Sequence, residues 1–220
     1  LKKIIFFCFC QCWLITQAQK PVSISTDLSF LRSLSKNQDF TVIGQTVKGE
    51  YHFTQKETGY AWVSYYSPGT YTNTLEATAK DPATTPASIS YNVKSRLRFR
   101  QVSLGWKHFF IGGIDSEKSW NLYGSAGFGL MAAKVENLYD PVVDTALYNV
   151  AQRAIAGTGD FKRLTFDLGL GAEAALASTV FLYAELRTWL PASTNPSPYM
   201  YNDNAPRVAI LSGGIRILFD

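Results

Sequence analysis

The chain has 220 residues, a formal net charge of +4 and a mean hydropathy of −0.04. That length suits one domain, and the weak charge bias argues against a nucleic-acid partner. All three cysteines, Cys8, Cys10 and Cys12, fall in the first twelve residues, so the rest of the chain has neither a disulfide framework nor a cysteine metal site.

Lys2 and Lys3 precede an apolar run from Ile4 to Ile15, and Thr16-Gln17-Ala18 follows. This is the three-part pattern of a secretory leader, and the run is shorter than the ~18 to 20 residues of a spanning helix. Residues 1–18 are expected to be a cleaved signal peptide and 19–220 the mature domain, with Gln19 as its first residue. None of the cysteines follows the small-residue triplet, which argues against lipidation. Removing Lys2 and Lys3 lowers the net charge from +4 by two, to +2.

Beyond the leader the signal is alternation, the period of a strand with two different faces. Val22 to Phe30 alternates with Ser23, Ser25, Asp27 and Ser29, and Val47, Tyr51 and Phe53 alternate with Lys48, Glu50 and His52. Further strands are expected near Tyr60 to Tyr66, Ser95 to Phe110 and Trp120 to Ala133. The clearest is Arg163 to Leu176, where Leu164, Phe166, Leu168 and Leu170 oppose Arg163, Thr165, Asp167 and Gly169. A Ser178-Thr179 turn leads to a similar strand from Val180 to Arg187, and Arg207 to Phe219 supplies the eighth.

Connections alternate in length. Arg32 to Asp39, Ser67 to Asn92, Lys134 to Asp160 and Pro191 to Pro206 read as outer loops, against shorter inner turns near Thr54 to Gly59, Gly112 to Ser119 and Ser178-Thr179. Aromatic residues gather at the inner ends of strands: Tyr51, Phe53 and Tyr60 near the first turn, Trp106, Phe109, Phe110 and Trp120 near the second. Amphipathic rings there suit a membrane-water girdle.

With these features the chain resembles the small outer-membrane β-barrels of Gram-negative bacteria, the OmpA-like and OmpX-like group. The resemblance implies an all-β, eight-stranded antiparallel up-and-down transmembrane barrel in the outer membrane. It implies outer-membrane lipids and lipopolysaccharide as surroundings, and the barrel-assembly machinery as partner during insertion. It also implies that Ile215, Ile217 and Phe219 act as the insertion signal, although Asp220 makes the aromatic penultimate. Members differ in function, so the resemblance carries the fold and not an activity. A monomer is expected, with a structural, adhesion or envelope-stability role. The alternatives are a narrow passive pore for small solutes and an accessory barrel of a secretion assembly, with a lipid A-modifying enzyme less favoured.

An eight-stranded barrel is nearly filled by its inward side chains. Alternation places Asp27, Glu50, Asp167, Glu173 and Glu185 inside with Lys48, Lys107, Arg187 and Arg216, a set expected to form an ion-pair network. Gly127, Gly129, Gly169 and Gly171 on that face leave room for larger neighbours or for a channel. Arg96, Arg98 and Arg100 share parity with Val102, Leu104 and Trp106, which sets them on the outer wall as a possible lipopolysaccharide contact unless a bulge near Arg100 reverses them. His52 and His108 fall on different faces, so no catalytic or metal constellation is visible and no cofactor is implied. A soluble ligand-binding barrel would need a polar outer face, opposite to that of Arg163 to Leu176.

Overall fold

The computed structural model describes residues 21–115 and 120–219. The expected signal peptide and Asp220 lie outside the described residues. Among the described residues ten strands occur: β1 (Val22–Ser33), β2 (Thr41–His52), β3 (Glu57–Tyr66), β4 (Gly69–Ala79), β5 (Ser88–Ile111), β6 (Trp120–Asp140), β7 (Tyr148–Asn149), β8 (Gly157–Ala177), β9 (Val180–Pro191) and β10 (Val208–Phe219).

Eight of them close a barrel in which every neighbour is antiparallel. The order runs β1, β2, β3, β5, β6, β8, β9, β10 and back to β1, with closure between β1 and β10 from Val22 opposite Phe219 to Ser33 opposite Val208. Full pairing around the ring leaves the membrane part of the wall without an exposed edge, the condition for burying strands in lipid.

Two outer connections differ from the sequence expectation. The stretch from Ser67 to Asn92 is not a long loop: β4 continues the line of β3 along the same partner β5. Tyr65 lies opposite Arg100 and Gly69 opposite Leu97, so four residues on one side span three on the other. The extra residue falls at the Ser67-Pro68 break and reverses parity, with Tyr60, Trp62 and Tyr66 inward before it and Tyr71 and Ala77 inward after it. Likewise β6 runs on to Asp140 and β8 begins at Gly157, inside the stretch read as a loop from Lys134 to Asp160.

These outer extensions were hidden because the pattern inverts along each strand. In β5 the outward residues change from Val102, Leu104 and Trp106 to Arg100, Arg98 and Arg96, and the inward ones from Lys107, Ser103 and Gln101 to Phe99, Leu97, Val93 and Tyr91. Apolar-out becomes apolar-in between Val102 and Arg100. Neighbouring strands switch at the same level, between Leu130 and Lys134 on β6, Leu164 and Lys162 on β8, and Phe30 and Arg32 on β1. Above it β4, β5 and β6 form an ordinary water-facing sheet over a small core of Ala77, Tyr91, Val93, Val143 and Tyr148. Burial beside that core raises the Tyr201 hydroxyl to about 12, so it stays neutral in any physiological medium.

The girdle needs correction at two positions. Tyr51, Phe53, Trp106, Phe110 and Trp120 face outward, but Tyr60 and Phe109 are buried in the lumen. Parity decides this: each directly neighbours an outward residue on its strand.

Candidate functional site

Below the inversion the barrel's interior is polar, and the side chains meet across it. Near the inner end Arg216 donates to Glu173 at 2.6 Å, to the Ser23 hydroxyl at 3.0 Å and to the Ile114 carbonyl at 2.9 Å. Lys107 lies between Glu50 at 3.3 Å and Glu173 at 3.5 Å. One layer outward, Lys48 pairs with Glu185 at 2.9 Å, and Tyr123 donates to the same carboxylate at 3.1 Å. Arg187 reaches Asp27 at 3.2 Å, where Tyr183 also donates at 3.1 Å.

Asp167 differs from the others. It accepts hydrogen bonds from Gln101 at 2.9 Å, from Thr165 at 3.1 Å and from Ser103, and among the described residues it enters no ion pair. Its direct hydrogen-bond partners are thus neutral, because the strand pairing surrounds it with hydroxyl and amide groups, and Arg187 acts on it by charge without an ion pair.

Each lumen cation also lies over aromatic faces. Lys107 stands 4.1 Å from the Tyr123 ring centre, Arg216 4.0 Å from Phe181, Arg187 5.3 Å from Trp62 and Lys48 5.7 Å from Tyr60. A ring face attracts a desolvated cation. Combined with paired carboxylates, it offsets the cost of holding charge away from water.

Glycines make room for these rings. A Cβ on Gly171 would overlap the Tyr123 ring, and one on Gly127 would come within 2.7 Å of the Tyr60 hydroxyl. The space is thus occupied by neighbours. Free volume is about 0 Å³ among Lys48, Glu50, Lys107, Glu173 and Arg216, and about 10 Å³ beside Asp167 and Arg187. A single water needs ~10 to 15 Å³, so neither of these gaps holds a file of waters.

The outer end is closed by aromatic residues. Tyr66 stacks on Phe99 at 4.9 Å, and both meet Trp189 edge-on. Met200, fully buried, descends from the β9–β10 connection onto this cluster. That connection is held by Arg163, a buried residue that sequence reasoning left out of the site. Its guanidinium donates to the carbonyls of Asn202 at 2.7 Å, Asn195 at 3.2 Å and Asn204, over the Phe161 ring at 4.4 Å.

One pairing could not be read from spacing. His52 Nε2 lies 2.6 Å from the Ser23 hydroxyl, and Nδ1 lies 2.7 Å from that of Thr58. A serine beside a histidine can be a nucleophile with its base, but Ser23 and His52 are each 1% exposed and Thr58 is fully buried. His108 is separate, on the outer wall, with Nδ1 2.6 Å from Glu57.

Arg96, Arg98 and Arg100 all lie exposed on the outer wall: β5 keeps unbroken register with β6 past Arg100, and the bulge there belongs to the facing strand at Ser67-Pro68, so it reverses the parity of β4 and not of β5. Ile215, Ile217 and Phe219 lie on the outer face of β10, 42 to 45% exposed. They join Leu28, Phe128, Leu170, Leu186 and Leu211 in an apolar exterior around the ring. A soluble protein does not expose so much contiguous apolar surface. An apolar exterior around a polar lumen, inverted above one level, is the arrangement lipid demands.

The fold is that of an outer-membrane β-barrel.

Solved structures agree with this reading. Neisserial surface protein A is 12% identical, with a TM-score of 0.54 over 92% of this chain and 98% of that one. The outer membrane protein OprG of Pseudomonas aeruginosa is 9% identical, with a TM-score of 0.54 over 91% and 96%. The N-terminal β-barrel domain of OprF from the same organism is 12% identical, with a TM-score of 0.50 over 90% and 97%. No protein-family model matches the sequence, and no curated protein matches it.

Proposed function

We propose that this outer-membrane barrel is non-conducting and acts as a rigid anchor for its ordered outer sheet, serving adhesion or envelope stability and not solute passage. The filled lumen carries this reading: paired charges and rings leave about 0 to 10 Å³ where a pore would need a file of waters. The second support is the outer sheet, since a core under β4, β5 and β6 gives the exposed end a fixed shape that a partner can read. Catalysis is not part of the reading, because the Ser23 and His52 pair is enclosed and a substrate has no path to it.

The test is single-channel recording on the purified, refolded full chain, alongside a deletion strain assayed for surface adherence and detergent sensitivity. The expected result is a silent bilayer and a strain that loses adherence or gains detergent sensitivity. Regular conductance steps from the wild-type chain would overturn it.

A further inference from the structure

Immediately above the level of inversion, the outer wall carries a concavity of about 940 Å³. Its floor is Ala132 on β6, which pairs with Arg100 on β5 and with Lys162 on β8. One rung further out, Lys134 pairs with Arg98 on one side and Asp160 on the other. A methyl group set between long cationic side chains makes the hollow. Tyr65 extends one wall, its ring 5.5 Å from the Arg100 guanidinium. Among the described residues none of Arg98, Arg100, Lys134 and Lys162 enters an ion pair, although Asp160 lies in register with Lys134.

One rung below the floor, the row Val102, Leu130 and Leu164 begins the lipid-facing wall. Outward residues on a strand are spaced ~6.6 Å along it, or ~5 Å in height at the usual barrel tilt. Arg100 and Lys162 therefore stand ~5 Å above the last apolar row, and Arg98 and Lys134 ~10 Å. A bilayer's headgroup layer adds ~5 to 8 Å to each side of its hydrocarbon. Arg100 and Lys162 thus stand within headgroup depth and Arg98 and Lys134 just above it, close enough for their long side chains to reach down, with acyl-chain surface directly beneath.

We propose that this saddle is a binding site for a phosphorylated lipid headgroup of the outer leaflet, of the lipid A type. Arg98, Arg100, Lys134 and Lys162 take the phosphates, and Val102, Leu130 and Leu164 pack on the acyl chains. Guanidinium forks match phosphate oxygens with two parallel hydrogen bonds, and the ammonium groups add point charge. Arg96 is outside the site, because it stands another rung out, opposite Glu136, and does not line the hollow. The cluster thus differs from the three alternate arginines of β5: two of them join lysines contributed by the next two strands. The inference rests on the membrane placement of the barrel and not on whether the lumen conducts, so the two tests fail independently.

The experiment measures lipid retained by the purified full chain in detergent, by native mass spectrometry, after incubation with bis-phosphorylated lipid A, dephosphorylated lipid A or phosphatidylglycerol. Heat-modifiable gel migration confirms a folded barrel for each variant. Wild type should retain bis-phosphorylated lipid A at least about tenfold over the dephosphorylated form, and excess inorganic phosphate should not displace it. Replacing Arg98, Arg100, Lys134 and Lys162 by Gln should abolish that preference. Ala132→Trp, which fills the hollow without touching a charge, should reduce retention similarly, whereas Arg96→Gln should leave it unchanged. Equal retention by wild type and the fourfold variant, indifference to the lipid's phosphates, equal retention of phosphatidylglycerol, or displacement by inorganic phosphate alone would overturn the proposal.

Discussion

Arg187 and Asp27 meet at 3.2 Å across the lumen although 160 residues separate them. Their strands are joined through β10, which pairs with both β1 and β9, so the contact depends on barrel closure. Arg187→Met should destabilise the barrel by about 3 to 5 kcal/mol, since it leaves Asp27 and part of Glu185 as buried charge without a partner. Adding Asp27→Asn to that variant should restore a substantial part of the loss. Urea midpoints read from heat-modifiable migration check both values; a double variant no more stable than Arg187→Met would contradict the pairing.

Gly171 gives its space to the Tyr123 ring. Gly171→Ala should cost about 1 to 3 kcal/mol through overpacking. In a Tyr123→Ala background the same change should cost little, because the atoms it strikes are gone. A double-mutant cycle on the same urea assay measures this coupling, and additive losses would be inconsistent with the contact.

Arg163 holds residues 192–206 by three backbone carbonyls. Arg163→Met should release that segment while the barrel remains folded. Hydrogen bonds from a charged donor contribute about 1.5 to 3 kcal/mol each, so proteolysis within the segment should rise about tenfold or more. Limited digestion followed by peptide mapping is the readout, with unchanged cleavage as the contrary result.

The extra residue at Ser67-Pro68 shifts which residues of β4 face inward, because four steps there span three on β5. Deleting Pro68 should therefore leave three steps facing three, with the bulge gone, β4 in its present register and Tyr71 and Ala77 still inward. Protease resistance near residues 80–87 and heat-modifiable migration should both stay at the wild-type level. New cleavage near residues 80–87 would show that the bulge itself is needed to seat β4.

How much of this was legible in the sequence follows from what alternation encodes. Leu164 to Leu176 declares a lipid-facing wall because every second residue must be apolar over the hydrocarbon thickness. The same rule places Asp27, Glu173 and Arg216 inward before any coordinates exist. It is silent on partners, since Ser23 meets His52 only through the register of β1 with β2, and Asp167 takes neutral hydrogen-bond donors for the same kind of reason. It also misleads above the inversion. Tyr91 to Phe99 has the apolar and charged faces of a water-soluble strand, so a search for lipid-facing residues ends at Ser95, seven residues short of the strand's start at Ser88. Arg163 was passed over because its role depends on a loop folding back over it, which no period in the sequence records.

β5 is 24 residues long, about twice what a bilayer crossing at a barrel's tilt requires. From Arg100, one rung above the apolar row, it continues twelve residues to Ser88, which at ~3.3 Å each and a ~40° tilt lifts the hairpin tip ~30 Å above Arg100. A stiff stalk of that length holds residues 80–87 well away from the membrane, and shortening it would lower that tip toward the headgroups without disturbing the part in the membrane.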